Sequence, residues 1–174
     1  MAYYTIAAPG VSIAQNKALI GIYNGVGSNK IIKVTRIWML NNQTTAVTGV
    51  NLVMQIVRIT TGSGGFAIAP LKHDSADAAI PSQIASAVNM TYTTDVIIRR
   101  FWWSSDEPVA SGTQSQDEIQ TVPSLMIVWD SDWYMQGNTT VEPIVLREGY
   151  GLAIINTTAS SVGVVDTFFE VEVI

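Results

Sequence analysis

The stretch VEPIVLREGYGLAIINTTASSVGVVDTFFEVEVI (residues 141–174) decides the fold class. It is typical of three successive β-strands, over residues 141–147, 152–157 and 163–174, joined by short polar or glycine-containing turns. The last of these strands has a period of two, which is typical of a half-buried strand. Its apolar-side residues are Val165, Thr167, Phe169, Val171 and Val173, and its opposite side carries Asp166, Glu170 and Glu172.

A segment of this kind needs a second sheet to cover its apolar face. Further strands are expected upstream, which makes about eight antiparallel strands in two facing sheets, the arrangement of a jelly roll. An immunoglobulin-like sandwich is the main rival, but its strands are shorter and it lacks long excursions. The eight expected strands start near Lys17, Lys30, Val50, Asp95, Ser124, Val141, Leu152 and Gly163.

The chain is expected to be a single β-sandwich domain over residues 1–174, because no internal repeat or linker divides it. Residues 1–10 are expected to form an N-terminal arm or an edge strand. The long segments 30–40 and 50–60 are expected to pair as an antiparallel ribbon, because their connection is too short for a parallel crossover.

Alternation within residues 30–40 predicts that Ile32, Val34, Trp38 and Leu40 share one face. With Trp129 and Phe169, Trp38 is expected in the core.

Two excursions interrupt the strands, at residues 61–94 and 104–120. Residues 72–94 are rich in small side chains, and Ser75 and Pro81 stand where short helices could begin, so one or two helical turns are expected. Long connections in a compact domain are usually functional, so both excursions are candidate contact surfaces.

The charge content is low. Nine basic and 14 acidic residues make up 13% of the chain, the net charge is −5, and 48% of the residues are apolar. An ordinary soluble domain has about 25% charged residues. Two explanations are open, and both are expected to apply: the surface is coated by uncharged Thr, Ser, Asn and Gln, and part of it is covered by other copies of the chain or by a partner protein.

Several classes of partner are disfavoured. The acidic balance and scattered basic residues argue against a nucleic-acid partner. No apolar run has the length of a membrane span, and the N-terminus lacks the pattern of a secretory signal. There is no cysteine, which excludes disulfides and thiolate metal ligands.

No motif for catalysis, cofactor binding or metal binding is found. His73 is the only histidine, and a metal site would need other ligands brought in from elsewhere. The acidic clusters Asp106-Glu107, Asp117-Glu118 and Asp130-Ser131-Asp132 lack the spacing of a calcium loop and are expected to be solvated. A glycosidase carboxylate pair is a remote alternative, because nothing selects a particular pair.

The remaining candidates are contact residues. Aromatic side chains at strand ends or in turns can anchor a protein partner or stack on a sugar. Two consecutive arginines in one strand must point to opposite faces, so one of them needs a partner carboxylate or a subunit boundary. The candidate interface residues are Tyr3, Tyr4, Arg99, Arg100, Trp103, Trp133 and Tyr134.

The stretch from Leu146 to Asn156, LREGYGLAIIN, resembles small β-sandwich structural proteins of tailed-phage virions, in which a strand enters a Glu-Gly turn and an apolar strand leaves it. The long Thr-rich strands and low charge fit the same resemblance. It implies an auxiliary capsid, decoration or head-fibre-base protein, often trimeric, without catalytic residues.

The expected function is therefore that of a non-enzymatic virion protein that self-associates, with a trimer as the expected form, and docks on other virion proteins such as the major capsid protein. The alternative is a carbohydrate-binding, lectin-like or receptor-binding module, with Trp133, Tyr134 and the acidic loops at its glycan site.

Overall fold

The computed structural model describes residues 1–43, 51–105, 125–131, 142–159 and 162–174. These residues form an all-β fold, and no helix occurs among them. The strands are β1 (Ala2–Ser12), β2 (Ala18–Asn24), β3 (Ile32–Asn41), β4 (Asn51–Ser63), β5 (Phe66–Ala67), β6 (Leu71–Lys72), β7 (Ile84–Val88), β8 (Thr91–Ser104), β9 (Leu125–Asp130), β10 (Ile144–Leu146), β11 (Tyr150–Asn156) and β12 (Val164–Val173).

The strands form two antiparallel sheets. Sheet A has the order β10-β3-β12-β1-β6, with β9 also paired to β3, and sheet B has the order β5-β7-β2-β11-β4-β8. Fully buried apolar side chains from both sheets meet in one cluster, among them Ile37 and Phe169 of sheet A and Ile56 and Ile154 of sheet B. The two sheets therefore enclose a common core, as in a sandwich.

The period-two prediction for the last strand is confirmed. Val165, Thr167, Phe169, Val171 and Val173 of β12 are all buried. β12 lies between β1 and β3, which cover both of its edges. Residues 2–12 are the strand β1, which pairs with β12 along most of its length and with β6 over two residues, so they form neither a free arm nor the outermost strand of sheet A.

The predicted face of β3 is wrong beyond Val34. Val34 pairs with Val171 and Arg36 pairs with Glu170, so Thr35 is an extra residue on β3, a β-bulge. A bulge exchanges the two faces of the strand that follows it. Ile37 and Met39 are consequently buried, whereas Trp38 and Leu40 point to the outer face and are half-buried.

The predicted β3–β4 ribbon is also wrong. β3 belongs to sheet A and β4 to sheet B, where β4 pairs with β11 and β8. Residues 44–50, within the connection, lie outside the described residues. A polar connection of this length can bridge the ~10 Å between two sheets as well as it can close a hairpin.

The helical turns expected within residues 72–94 are absent, and this prediction is wrong. The segment from residue 61 to residue 94 contains the end of β4, the short strands β5, β6 and β7, and the start of β8. β6 pairs with β1 over two residues, and β7 pairs with β2 over four. The described residues hold twelve strands against about eight expected, and the additional ones are β1, β5, β6 and β7.

The turn between β10 and β11 is held by Glu148. Its carboxylate accepts hydrogen bonds from the backbone N–H groups of Gly27 at 3.2 Å and Asn29 at 2.5 Å. Gly149 has a φ of +80°, and a Cβ on Gly151 would lie 2.3 Å from the carbonyl oxygen of Ile22. Glu148, Gly149 and Gly151 therefore determine the backbone conformation of residues 146–156, the stretch that resembles virion β-sandwich proteins. Their role there is structural.

Candidate functional site

Two of the predicted contact residues lie in the core. Tyr4 and Trp103 are each 3% exposed. Tyr4 is on the inner face of β1 and donates a hydrogen bond to the carbonyl of Ala78 at 2.5 Å. Trp103 pairs across strands with Leu52, which is also buried. Neither side chain offers surface to a partner, so their assignment as contact residues is wrong.

Burial also affects the Tyr4 hydroxyl. Its removal from water, and secondarily the negative charge of Asp77, raise the pKa of Tyr4 above its usual 10.0. Burial likewise raises the pKa of Tyr92. Neutral tyrosines in these places act as hydrogen-bond donors that anchor loops, rather than as acid–base groups.

The consecutive arginines do point to opposite faces. Arg99 pairs with buried Ile56 and reaches towards sheet A, where its Nη1 donates a hydrogen bond to the carbonyl of Val128 at 2.8 Å. Arg100 pairs with Gln55 on the outer face of sheet B and is exposed. Arg99 thus links the two sheets through a backbone carbonyl, and Arg100 remains available at the surface.

Tyr3 lies at the outer face of sheet A and is 44% exposed. Its ring stacks on the imidazole of His73, with ring centroids 6.4 Å apart, and His73 Nε2 is 2.8 Å from the hydroxyl oxygen of Thr5. This pair borders a concavity of 450 Å³ that Arg36 and Glu172 also line. Trp133 and Tyr134, the other predicted contacts, lie outside the described residues.

An apolar feature on the outer face of sheet A runs across four of its strands. Ala7, Phe168, Trp38 and Ile127 are successive cross-strand partners on β1, β12, β3 and β9, and we call them the apolar row. Ile127 is 41% exposed, and the other three are half-buried. Leu125, 51% exposed, continues the apolar surface along β9.

Ion pairs flank the apolar row. Arg36 Nε lies 2.9 Å from Asp130 Oδ2, and its Nη1 lies 3.3 Å from Glu170 Oε2. Further along the same face, Lys33 Nζ lies 3.3 Å from Glu172 Oε2. These two cations and three carboxylates are paired with one another and leave one negative charge in excess, so the face offers a partner apolar surface with a paired, weakly acidic margin.

The sequence analysis missed the apolar row and Trp102. The row was missed because the bulge at Thr35 turns Trp38 outward. Trp102 is 67% exposed on the outer face of sheet B, opposite half-buried Val53. The sequence Trp102-Trp103 could have indicated an exposed tryptophan, because adjacent strand residues point to opposite faces and only one of the two side chains could lie in the core.

The described residues offer no candidate metal centre. They contain no group of three or more His, Asp or Glu side chains arranged to hold a metal ion. A concavity of 560 Å³ between β1 and the β5–β7 segment has a largely apolar lining that includes Ile68, Pro81 and Ile84, and Tyr4 and Lys72 contribute its titratable side chains. Of the acidic clusters considered for calcium, only Asp130 and Ser131 are described, and Asp130 binds Arg36.

Within the described ranges there is also no helix with the length and apolar character needed to span a bilayer. Comparisons of the chain with protein-family models, curated proteins and solved structures find no match.

Proposed function

We propose that the chain is a non-enzymatic structural protein of a tailed-phage virion, which self-associates and docks on the capsid or head. The observation that carries the proposal is the apolar row, which presents an aromatic and aliphatic strip on the outside of a folded sheet. Contiguous apolar surface of this kind marks a protein contact. The low charge content and the resemblance of residues 146–156 to virion β-sandwich proteins favour the same conclusion.

The free energies of apolar burial and of association indicate how large the contact area must be. Burial of an apolar patch of about 300 Å² stabilises a complex by about 7 kcal/mol. Association costs about 4–15 kcal/mol in lost freedom. The row alone is therefore insufficient, and it acts as the centre of a contact of about 800 Å² per partner that takes in much of the outer face of sheet A.

The strand order supports a jelly roll. Eight strands fall into two four-stranded sets, β1-β12-β3-β9 and β2-β11-β4-β8. In each set, the neighbours alternate between early and late strands of the chain, as two Greek keys require. The segment with β5, β6 and β7 is then an insertion between β4 and β8. Capsid and lectin domains both use this fold, so it is compatible with the proposal and does not select it.

The experiment is mass spectrometry of tailed-phage particles purified from cells that express the gene. A fixed ratio of this chain to the major capsid protein would support the proposal. Presence in the lysate and absence from the particles would contradict it. Trp38→Ala should reduce incorporation into particles, and Lys17→Asp, at an exposed residue outside the row, should not.

Glycan binding is a second candidate, favoured by the exposure of Trp102. Its ring is 67% exposed beside the polar Gln55–Arg100 pair, and sugars stack on such rings. A glycan array in which wild-type protein binds, and both Trp102→Ala and Trp133→Ala still bind equally well, would exclude these aromatic side chains as the site. No binding at all would exclude the candidate.

A further inference from the structure

Two arginines lie on the side of sheet B that faces sheet A. Arg99 of β8 is the cross-strand partner of Ile56, and Arg58 of β4 is the partner of Leu152. Ile56 and Leu152 are both fully buried members of the core between the sheets. Because cross-strand partners share a face, both arginine side chains are directed towards sheet A.

The two arginines are close to each other. Arg58 follows Ile56 by two residues on β4, and Ile56 pairs with Arg99, so Arg58 and Arg99 are diagonal neighbours on one face. Diagonal neighbours in an antiparallel pair lie about 7–8 Å apart, which is within reach of long side chains. The two guanidinium groups can therefore contact one small ligand at the same time.

The pair lies at the side of the sandwich where β8 faces β9. The strand β9 pairs with the edge of β3 that β12 does not occupy. Arg99 reaches β9, where its Nη1 donates a hydrogen bond to the carbonyl of Val128 at 2.8 Å. Arg58 is half-buried and Arg99 is exposed, so a ligand from solvent has access to the pair.

Both arginines lack a compensating negative charge. The ion pairs within the described part of the chain use Lys33 and Arg36 as their cations, and Arg36 alone contacts two carboxylates. Asp95 adjoins the partner of Arg58 on β8 and forms no ion pair with it. Two like charges on neighbouring strands without an acidic partner repel each other.

The Nε atom of Arg58 is also unsatisfied. It is buried and has no hydrogen-bond partner. A buried donor without an acceptor costs free energy, because the donor has lost water and gained nothing in return. An anion with two or more oxygen atoms would remove this cost and the charge repulsion together, since guanidinium groups bind carboxylates and phosphates through parallel N–H donors.

We infer that Arg58 and Arg99 form a binding site for an oxyanion, a phosphate or carboxylate group. In this site Arg58 donates from Nε and a terminal nitrogen, and Arg99 donates from the N–H groups that Val128 does not use. The site is separate from the apolar row on the outer face of sheet A. The inference goes beyond the proposed virion function and does not depend on it.

Anion titration of the full chain tests the site. Inorganic phosphate, and acetate in a separate series, should shift the NMR resonance of the Arg58 Nε–H group in a saturable manner at constant ionic strength. Arg58→Gln should weaken binding, followed by the backbone amide shifts of β4 and β8, by about tenfold or more, because it removes a charge-assisted pair of hydrogen bonds. Arg100→Gln removes the same charge from the adjacent residue on the outer face and should bind as wild type.

Thermal unfolding separates a binding role from a structural role. Without phosphate or acetate, Arg58→Gln should unfold at or above the wild-type temperature, because it removes one of two like charges and an unsatisfied donor. Phosphate should raise the unfolding temperature of wild type and of Arg100→Gln, and should leave that of Arg58→Gln unchanged.

The outcomes decide the inference. Saturable binding of phosphate, of acetate or of both, lost in Arg58→Gln and kept in Arg100→Gln, would support the site and identify the group that it takes. Chloride that produces the same shifts would reduce the effect to screening of charge and would overturn the inference. Equal binding by wild type and Arg58→Gln, or no response of wild type to either anion, would overturn it as well.

Discussion

The ring of Trp38 lies parallel to the ring of Phe168, with centroids 3.7 Å apart and an angle of 8° between their planes. The two residues are direct cross-strand partners on β3 and β12, at the centre of the apolar row. A stacked pair of this kind has little conformational freedom left to lose, which is the property of an anchor residue in a protein contact.

Trp38→Ala should impair assembly more than folding. Loss of the stack and of a half-buried ring should lower the free energy of unfolding by about 1–2 kcal/mol. Self-association measured by sedimentation, or docking on particles, should fall by about tenfold or more if the row is a contact centre. Ile37→Ala is the matched control, since Ile37 is the adjacent, fully buried residue on the other face. It should lower stability by about 3 kcal/mol. Equal effects of Trp38→Ala and Ile37→Ala on stability, with assembly unchanged, would contradict a contact role for the row.

Deletion of Thr35 should leave the faces of β3 unchanged. Val34 pairs with Val171 and Arg36 pairs with Glu170, so removal of the extra residue between them joins the two pairings into one regular ladder, and Ile37 and Met39 stay in the core. The variant should fold and lose only about 1–2 kcal/mol, from the hydrogen bonds that Thr35 makes with Glu170 and Ser131. Circular dichroism and thermal unfolding would test this. Thr35→Ser keeps the residue count and should unfold within a few degrees of wild type, and a deletion variant that does not fold would contradict a bulge made of one extra residue.

Glu148→Ala should destabilise the fold by about 2 kcal/mol, and Glu148→Gln by about 1 kcal/mol, in urea unfolding. The alanine variant leaves the N–H groups of Gly27 and Asn29 without their acceptor, whereas glutamine keeps one acceptor oxygen and loses the charge. Glu142→Gln, at an exposed carboxylate, is the control and should be neutral. If Glu148→Ala is also neutral, the turn does not depend on this carboxylate.

Stability should decline at alkaline pH, in part through Tyr4. Its folded-state pKa is raised above 10.0, so its contribution to stability is complete below pH 10 and is lost as the pH rises through the folded-state value. The free energy of unfolding of wild-type protein should therefore decrease above about pH 10. Tyr4→Phe should lose about 1 kcal/mol at neutral pH, from the hydrogen bond to Ala78, and should show a shallower alkaline decline. Parallel pH profiles of the two proteins would rule Tyr4 out as a source of the decline.

The sequence was sufficient for the all-β class and for the faces of β12, because three carboxylates, Asp166, Glu170 and Glu172, share one side of the strand and leave the other side as the buried one. Each of the eight expected strand starts lies within four residues of an observed strand start. The two-residue strands β5 and β6 were not predictable, because two residues have no period.

The candidate surface was harder to predict for a different reason. A single bulge at Thr35 reverses the direction of every later side chain on β3, and a bulge without glycine leaves little trace in the sequence. Trp38 was therefore assigned to the core, whereas it lies half-buried on the outer face. Trp103 was taken as a contact residue for a different reason, its place at a strand end, and the structure buries it. The sequence also did not reveal that β4 lies in the second sheet. The polar connection between β3 and β4 could either turn back within one sheet or cross to the other, and its sequence does not distinguish the two.

The most informative measurement is the molar mass of the wild-type protein by light scattering coupled to size-exclusion chromatography, from low to high micromolar concentration. The apolar row predicts a mass that is a multiple of the 18.8 kDa chain and that falls when Trp38 is substituted. A mass of one chain at every concentration would contradict a protein that works by self-association.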